Sequence, residues 1–166
     1  TLKTKTKYFE EFDIPIDSKI IGHVGRYAYE KNHNMILDVA EKFYENKINV
    51  FFLLIGRGVK SNLADDLARR KLNNFLLVGE RTDIRDLLSI MDIFYFPSII
   101  EGQPNALLEA ISCGIPFVTS KISEIEECFP HWWKNLWLVD PNDLDASFNI
   151  LKMHLEISDY SKFNFN

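Results

Sequence analysis

Ile93-Phe-Tyr-Phe-Pro-Ser-Ile-Ile-Glu-Gly-Gln-Pro-Asn-Ala-Leu-Leu-Glu-Ala-Ile-Ser-Cys-Gly-Ile-Pro-Phe-Val-Thr119 reads as strand, loop, helix, strand. Ile93–Phe96 is apolar without alternation, as a strand buried on both faces must be. Pro104 stands where a first helical residue belongs, and Gly114 where a left-handed residue closes a helix. Between them Ala106, Leu107, Leu108, Ala110 and Ile111 make the helix apolar. Pro116–Thr119 is the next strand. Strands separated by helices form a parallel sheet with right-handed crossovers.

The same alternation extends outward. Ile20–Val24, Val50–Ile55 and Phe75–Val78 read as strands, and Leu136–Val139 as the last one. Helices fall between them. One is capped by Asn34 and carries Met35, Ile36, Val39, Ala40 and Phe43 at helical spacing; another is capped by Ser61; a third is opened by Thr82. A final helix runs from Asn142 to His154. The fold class is α/β: a Rossmann-like parallel sheet of about six strands with helices on both faces. Residues 1–19 form a leading segment whose Tyr8, Phe9 and Phe12 pack on the body, and residues 20–166 form a single domain.

The chain has 166 residues, enough for one domain with a real core. Apolar residues make up 46% and charged residues 26%, ordinary for a soluble protein. The net charge of −5 and the lack of a basic stripe argue against nucleic-acid binding. No apolar run spans a bilayer, and the polar start shows no secretory signal. Cys113 and Cys128 lack metal-ligand spacing, so a reduced, cytoplasmic setting is expected, with a disulfide between them as the alternative. His23 reads as a hydrogen-bonded core residue and His33 as a surface residue at a helix start. His131, Trp132, Trp133 and Trp137 read as packing. The Asp143-Leu-Asp145 spacing suits a metal, but its place after Pro141-Asn142 favours helix capping, and no metal is expected.

Ligands of such sheets bind beyond the carboxyl ends of the strands, where the candidate residues fall. Gly25-Arg26 follows the first strand, and Lys31 precedes the next helix; the cations suit a diphosphate, or they are solvated loop charges. Gly56 and Gly58 follow the second strand and admit close approach of backbone, or form a tight turn. Neither a GxGxxG nor a P-loop is present. Arg81 follows the third strand and suits stacking on a base, or belongs to a surface turn. Glu101 and Glu109 bracket the helix start in a Glu-x7-Glu spacing. Backbone N–H groups of Gly102, Gln103, Asn105 and Ala106 suit sugar and phosphate, and Glu109, expected to be partly buried, suits ribose hydroxyls. A ligand combining an anion with hydroxyls is a nucleotide sugar.

Taken in order, these pieces resemble the nucleotide-binding half of a GT-B glycosyltransferase of the retaining family 4, the glycosyl transferases group 1. They are Val24-Gly25-Arg26 with Lys31, Leu54-Ile55-Gly56-Arg57-Gly58, Asp92–Ser98, Glu101-Gly102 to Glu109-Ala110, and Cys113-Gly-Ile-Pro116. The resemblance implies that Arg26 and Lys31 stabilise the leaving diphosphate, that Glu101 contacts the transferred sugar, and that Glu109 holds the ribose. It implies retained configuration, transfer to a glycan or lipid in polysaccharide assembly, and no metal or other cofactor. It implies an N-terminal acceptor domain absent from this chain, so that the isolated domain is inactive. The full-length enzyme would work at the inner face of the membrane as a peripheral protein. A Glu that the family often carries after the fifth strand could map to Glu124, Glu126 or Glu127. The alternative reading is a non-catalytic α/β module, a nucleotide binder or a scaffold. A receiver-like module fits poorly, because it needs an acidic cluster where Gly25-Arg26 stands.

Overall fold

The computed structural model describes residues 2–129 and 137–157. The chain runs α1 (Leu2–Glu11), β1 (Lys19–Val24), a short 3-10 turn (Tyr29–Lys31), α2 (His33–Glu45), β2 (Val50–Ile55), α3 (Val59–Arg70) and β3 (Phe75–Val78). It continues with α4 (Ile84–Leu88), β4 (Ile93–Phe96), α5 (Asn105–Ser112), β5 (Phe117–Ser120), α6 (Ser123–Glu126), β6 (Leu138–Val139) and α7 (Leu144–Glu156). The strands form one six-stranded sheet in the order β3-β2-β1-β4-β5-β6. Every pairing is parallel. The Rossmann-like α/β reading therefore holds.

The strand order reverses between β1 and β4, which opens a crevice at their carboxyl ends. Asp92 pins this seam: its carboxylate accepts from the Ile20 N–H at 2.8 Å and from Lys19 Nζ at 3.0 Å. Side chains alternate across the sheet as a pleat requires. Phe94 and Phe96 join the core layer that holds α1, α4 and α5, while Ile93 and Tyr95 join the layer under α2, α3 and α7. Each buried Phe or Ile contributes about 1.5–3 kcal/mol of transfer free energy. A one-residue slip would exchange the two sets, so the register is firmly specified. Tyr8 and Phe9 of α1 are buried in the first layer, as their pattern predicts.

Several boundaries differ from expectation. The helix expected to be capped by Asn34 starts at His33, after Asn32 turns left-handed at φ 53°. The helix expected to be capped by Ser61 starts at Val59, after Gly58 at φ 79°. α2 follows the 3-10 turn and α3 follows β2, and each sharp change of direction needs a left-handed residue, which Asn and Gly adopt cheaply. Pro104 lies just before α5 rather than within it. Gly114 does take the left-handed conformation at φ 72°. Asp143 caps α7, its carboxylate accepting from the Ala146 N–H at 2.8 Å. The readings of Leu136, His131, Trp132 and Trp133 lie outside the described residues. Trp137 is core, stacked on His154 with centroids 4.3 Å apart.

Candidate functional site

Past the strand ends, backbone hydrogen bonds tie the loops together. The Gly25 N–H donates to Ile55 O at 2.9 Å and Tyr27 N–H to Arg57 O at 2.8 Å, which joins the loops after β1 and β2. Gly56 has φ 151°, and a Cβ there would lie 2.1 Å from the Gly25 carbonyl oxygen. The neighbouring loop already requires glycine at this position. The Ile99 N–H donates to Glu30 O at 2.9 Å, which joins the loops after β1 and β4 across the crevice.

Lys31 and Glu101 meet in that crevice. Lys31 Nζ donates to Glu101 Oε1 at 2.5 Å, with the two side chains only 15% and 6% exposed. The ammonium also lies 5.0 Å from the Phe96 ring centroid. Two charges so little hydrated need each other. Arg26 is more than half exposed and pairs with Glu30 four residues on. Arg26, Lys31, Glu101 and Gly102 line one hollow, with Tyr29, Glu30 and Ile100 on its rim.

Two histidines lie beneath. His23 is buried, and its Nδ1–H donates to the Tyr95 carbonyl at 3.0 Å. Its pKa is lowered to about 3, first by burial and then by the charges of His33 and Lys31. His33 is also buried, against the expectation of a surface residue, because the early helix start turns its ring inward against His23 and Tyr27. Burial, with Lys31 nearby, lowers its pKa to about 4. Both imidazoles are neutral at neutral pH.

A second hollow is lined by Gly25, Arg26, Gly56 and Arg81, together with Arg57, Glu80 and Ile84. Arg81 is tightly held there. Its Nε and Nη2 donate to the two Asp83 oxygens at 2.8 and 2.6 Å, and its Nη1 to Glu11 at 3.1 Å. Asp83 also accepts from the Tyr8 hydroxyl at 2.6 Å. The Arg81 hydrogen bond, and then that of Tyr8, hold the Asp83 carboxyl well below the usual range. The carboxylates engage the edge of the Arg81 guanidinium.

A third hollow holds Asn105 and Glu109 of α5, with Ile84, Arg85 and Cys113. Glu109 is exposed, not partly buried as expected. Leu107 and Ala110 take the inward stripe of α5, and a residue two places from Leu107 turns away from it. The Asn105 N–H donates to Gln103 O at 2.9 Å across Pro104, an inverse γ-turn, so this donor is already engaged.

The first and second hollows share Arg26, and the second and third share Ile84. Taken as a row of adjoining hollows they form the candidate groove, with Glu101 in the first and Glu109 in the third. Arg26 and Lys31 share a hollow; Glu109 shares none with either. Gly58 serves as the left-handed turn into α3, against Tyr27. Gln103 and Ala106 line none of the three hollows, and neither do Glu124, Glu126 or Glu127, which belong to α6 and its end. Sequence reasoning missed Tyr29, Ile84 and Ile100 because exposure has no local signature. It also missed Glu30, which pairs with Arg26 through a loop rather than along a helix. Cys113 and Cys128 are free. Among the described residues no cluster of three ligand side chains could hold a metal, and no helix is long and apolar enough to cross a membrane.

The profile of the glycosyl transferases group 1 matches residues 4–160, and the chain belongs to that family. The fold, the strand order and the ordered motifs are those of the C-terminal domain of a GT-B glycosyltransferase. The Escherichia coli UDP-Gal:alpha-D-GlcNAc-diphosphoundecaprenol alpha-1,3-galactosyltransferase is 32% identical over 142 residues, 81% of this chain and 36% of the relative. The putative glycosyltransferase EpsF of Bacillus subtilis is 35% identical over 109 residues, 64% of this chain and 28% of the relative. The chain thus spans about a third of the length of these relatives. Among solved structures, Anabaena HepE in complex with UDP-glucose superposes with a TM-score of 0.81 at 22% identity, over 94% of this chain and 44% of that one.

Proposed function

We propose that this chain is the nucleotide-sugar-binding domain of a retaining glycosyltransferase that transfers a hexosyl group to a glycan or lipid acceptor. The observation that carries the reading is the meeting of Arg26, Lys31 and Glu101 in one hollow at the switch point of the sheet. In this reading the bond between the sugar's anomeric carbon and the diphosphate oxygen breaks. Arg26 and Lys31 offset the charge that grows on the departing diphosphate. Glu101 contacts the transferred sugar, and Glu109 at the far end accepts hydrogen bonds from the ribose. Charge compensation comes from these cations, with no metal. The rest of the enzyme presents the reacting end of the acceptor, so this domain alone binds donor and transfers nothing. The lipid-diphosphate acceptor in the name of the E. coli relative supports work at the inner face of the membrane.

Calorimetry with UDP, GDP and ADP tests the reading, and UDP is favoured by the HepE complex. At least one should bind, and Glu109→Ala should weaken it about tenfold, or 1.4 kcal/mol. A folded sample that gives no heat with any nucleotide overturns the proposal. Binding that ignores Glu109 favours a non-catalytic nucleotide-binding module.

A further inference from the structure

On the outer side of the turn that carries Lys31 lies a separate hollow, lined by Tyr27, Ala28, Tyr29, Asn32, His33 and Asn34. It shares Tyr29 with the Lys31–Glu101 hollow, so Tyr29 is the wall between them. Three observations mark it as more than a surface dent. Tyr29 is 84% exposed and Tyr27 41% exposed, so aromatic faces stand free on both sides. Their backbone is held firmly, with Lys31 N–H on Ala28 O and Asn32 N–H on Tyr29 O, both at 3.1 Å. His33, only 3% exposed, backs the hollow as packed ring surface, set against His23 and Tyr27 with both ring nitrogens shielded from solvent.

The chemistry of the lining selects a ligand class. No lining residue carries a fixed charge, and burial keeps His33 neutral at neutral pH. Asn34 offers an exposed amide. Asn32 donates its amide nitrogen to Pro141 O at 3.0 Å, which leaves its side-chain oxygen as an acceptor. Aromatic faces with amides, and no charge, match a pyranose, which has an apolar C–H face and a hydroxyl edge. A diphosphate finds no cation here. A purely apolar chain would leave the amides unpaired.

We propose that the hollow of Tyr27, Tyr29, Asn32, His33 and Asn34 is a binding subsite for a neutral sugar ring. Its assignment to the acceptor glycan rests on the function proposed above; the sugar binding itself does not. With Tyr29 as the shared wall, a saccharide seated here lies next to the Lys31–Glu101 hollow.

NMR titration of the whole chain tests this, with the methyl glycosides of glucose, galactose and N-acetylglucosamine as probes and glucuronate as the charged control. At least one neutral glycoside should shift residues 27–34, with a Kd on the order of 1–10 mM. Tyr27→Ala should weaken it about tenfold, the upper range of an aromatic contact. Asn34→Ala, at an exposed position that leaves the fold intact, should weaken it a few-fold. Neither residue lines the donor groove, so UDP affinity should hold in both variants. Three results overturn the proposal: no shift with any neutral glycoside, equal binding of glucuronate, or shifts that follow protein concentration without sugar and so mark a second copy. UDP titrated into the same sample reads the donor site separately, so either idea can fail alone.

Discussion

The Lys31–Glu101 pair makes the sharpest claim about energetics. Its side chains are 15% and 6% exposed, so either charge left alone would be stranded with little water. Removing one partner of such a pair costs about 3–5 kcal/mol, whereas replacing both costs little. Lys31→Met and Glu101→Gln should each destabilise by that amount, and the double variant should return to within about 1–2 kcal/mol of wild type. The summed single losses then exceed the double loss by about 4–9 kcal/mol, which is the coupling energy of the cycle. Urea unfolding followed by circular dichroism measures all four corners of the cycle. Nucleotide affinity adds a second sign: Lys31→Met should weaken diphosphate binding, whereas Glu101→Gln should leave it equal or tighter, since it removes a competing carboxylate. Additive single effects, with coupling below about 0.5 kcal/mol, would refute the reasoning and return both groups to solvent.

Two further outcomes follow from the loops around the pair. His23 and His33 resist protons in the fold, with pKa values of about 3 and 4 against 6.5 when unfolded. The unfolded chain therefore binds more protons below pH 6.5, and stability falls as pH drops from there toward 4. Each imidazole can remove up to about 1.4 kcal/mol per pH unit in that window, read from urea midpoints against pH. Midpoints that stay level between pH 7 and 4.5 would count against buried neutral rings. Gly56→Ala should cost about 3 kcal/mol or more in the same urea assay, because its Cβ would lie 2.1 Å from the Gly25 carbonyl oxygen at φ 151°. A loss below about 1 kcal/mol would show that the two loops separate easily.

The architecture was legible because its signals are local. Val50–Ile55, Phe75–Val78 and Ile93–Phe96 are unbroken apolar runs, and the strands coincide with them. Gly114 turned left-handed where a helix end required it. The helix starts were missed where Asn34 and Ser61, residues suited to capping, stood two or three places beyond the Asn32 and Gly58 that make the turns. The turn of the backbone into the helix outweighed side-chain capping there. In the site, Arg26, Lys31 and Glu101 were foreseeable from type and order. Their mutual arrangement was not, because an ion pair between residues so far apart in the chain depends on which loops the sheet brings together. The buried state of His33 and the exposure of Tyr29 escaped for the same reason. Glu109 was misjudged because its apolar neighbours are sequential, whereas burial on a helix follows the turn.

The Tyr8–Asp83–Arg81–Glu11 network gives α1 a mechanical part to play. Its two ends grip Arg81 and the Asp83 that holds it, at the middle of the groove. A pull on this leading helix would therefore reach the donor floor through four side chains and almost no backbone. α1 acts as a strut, and force applied far from the sheet would arrive where the base and diphosphate of the proposed ligand meet.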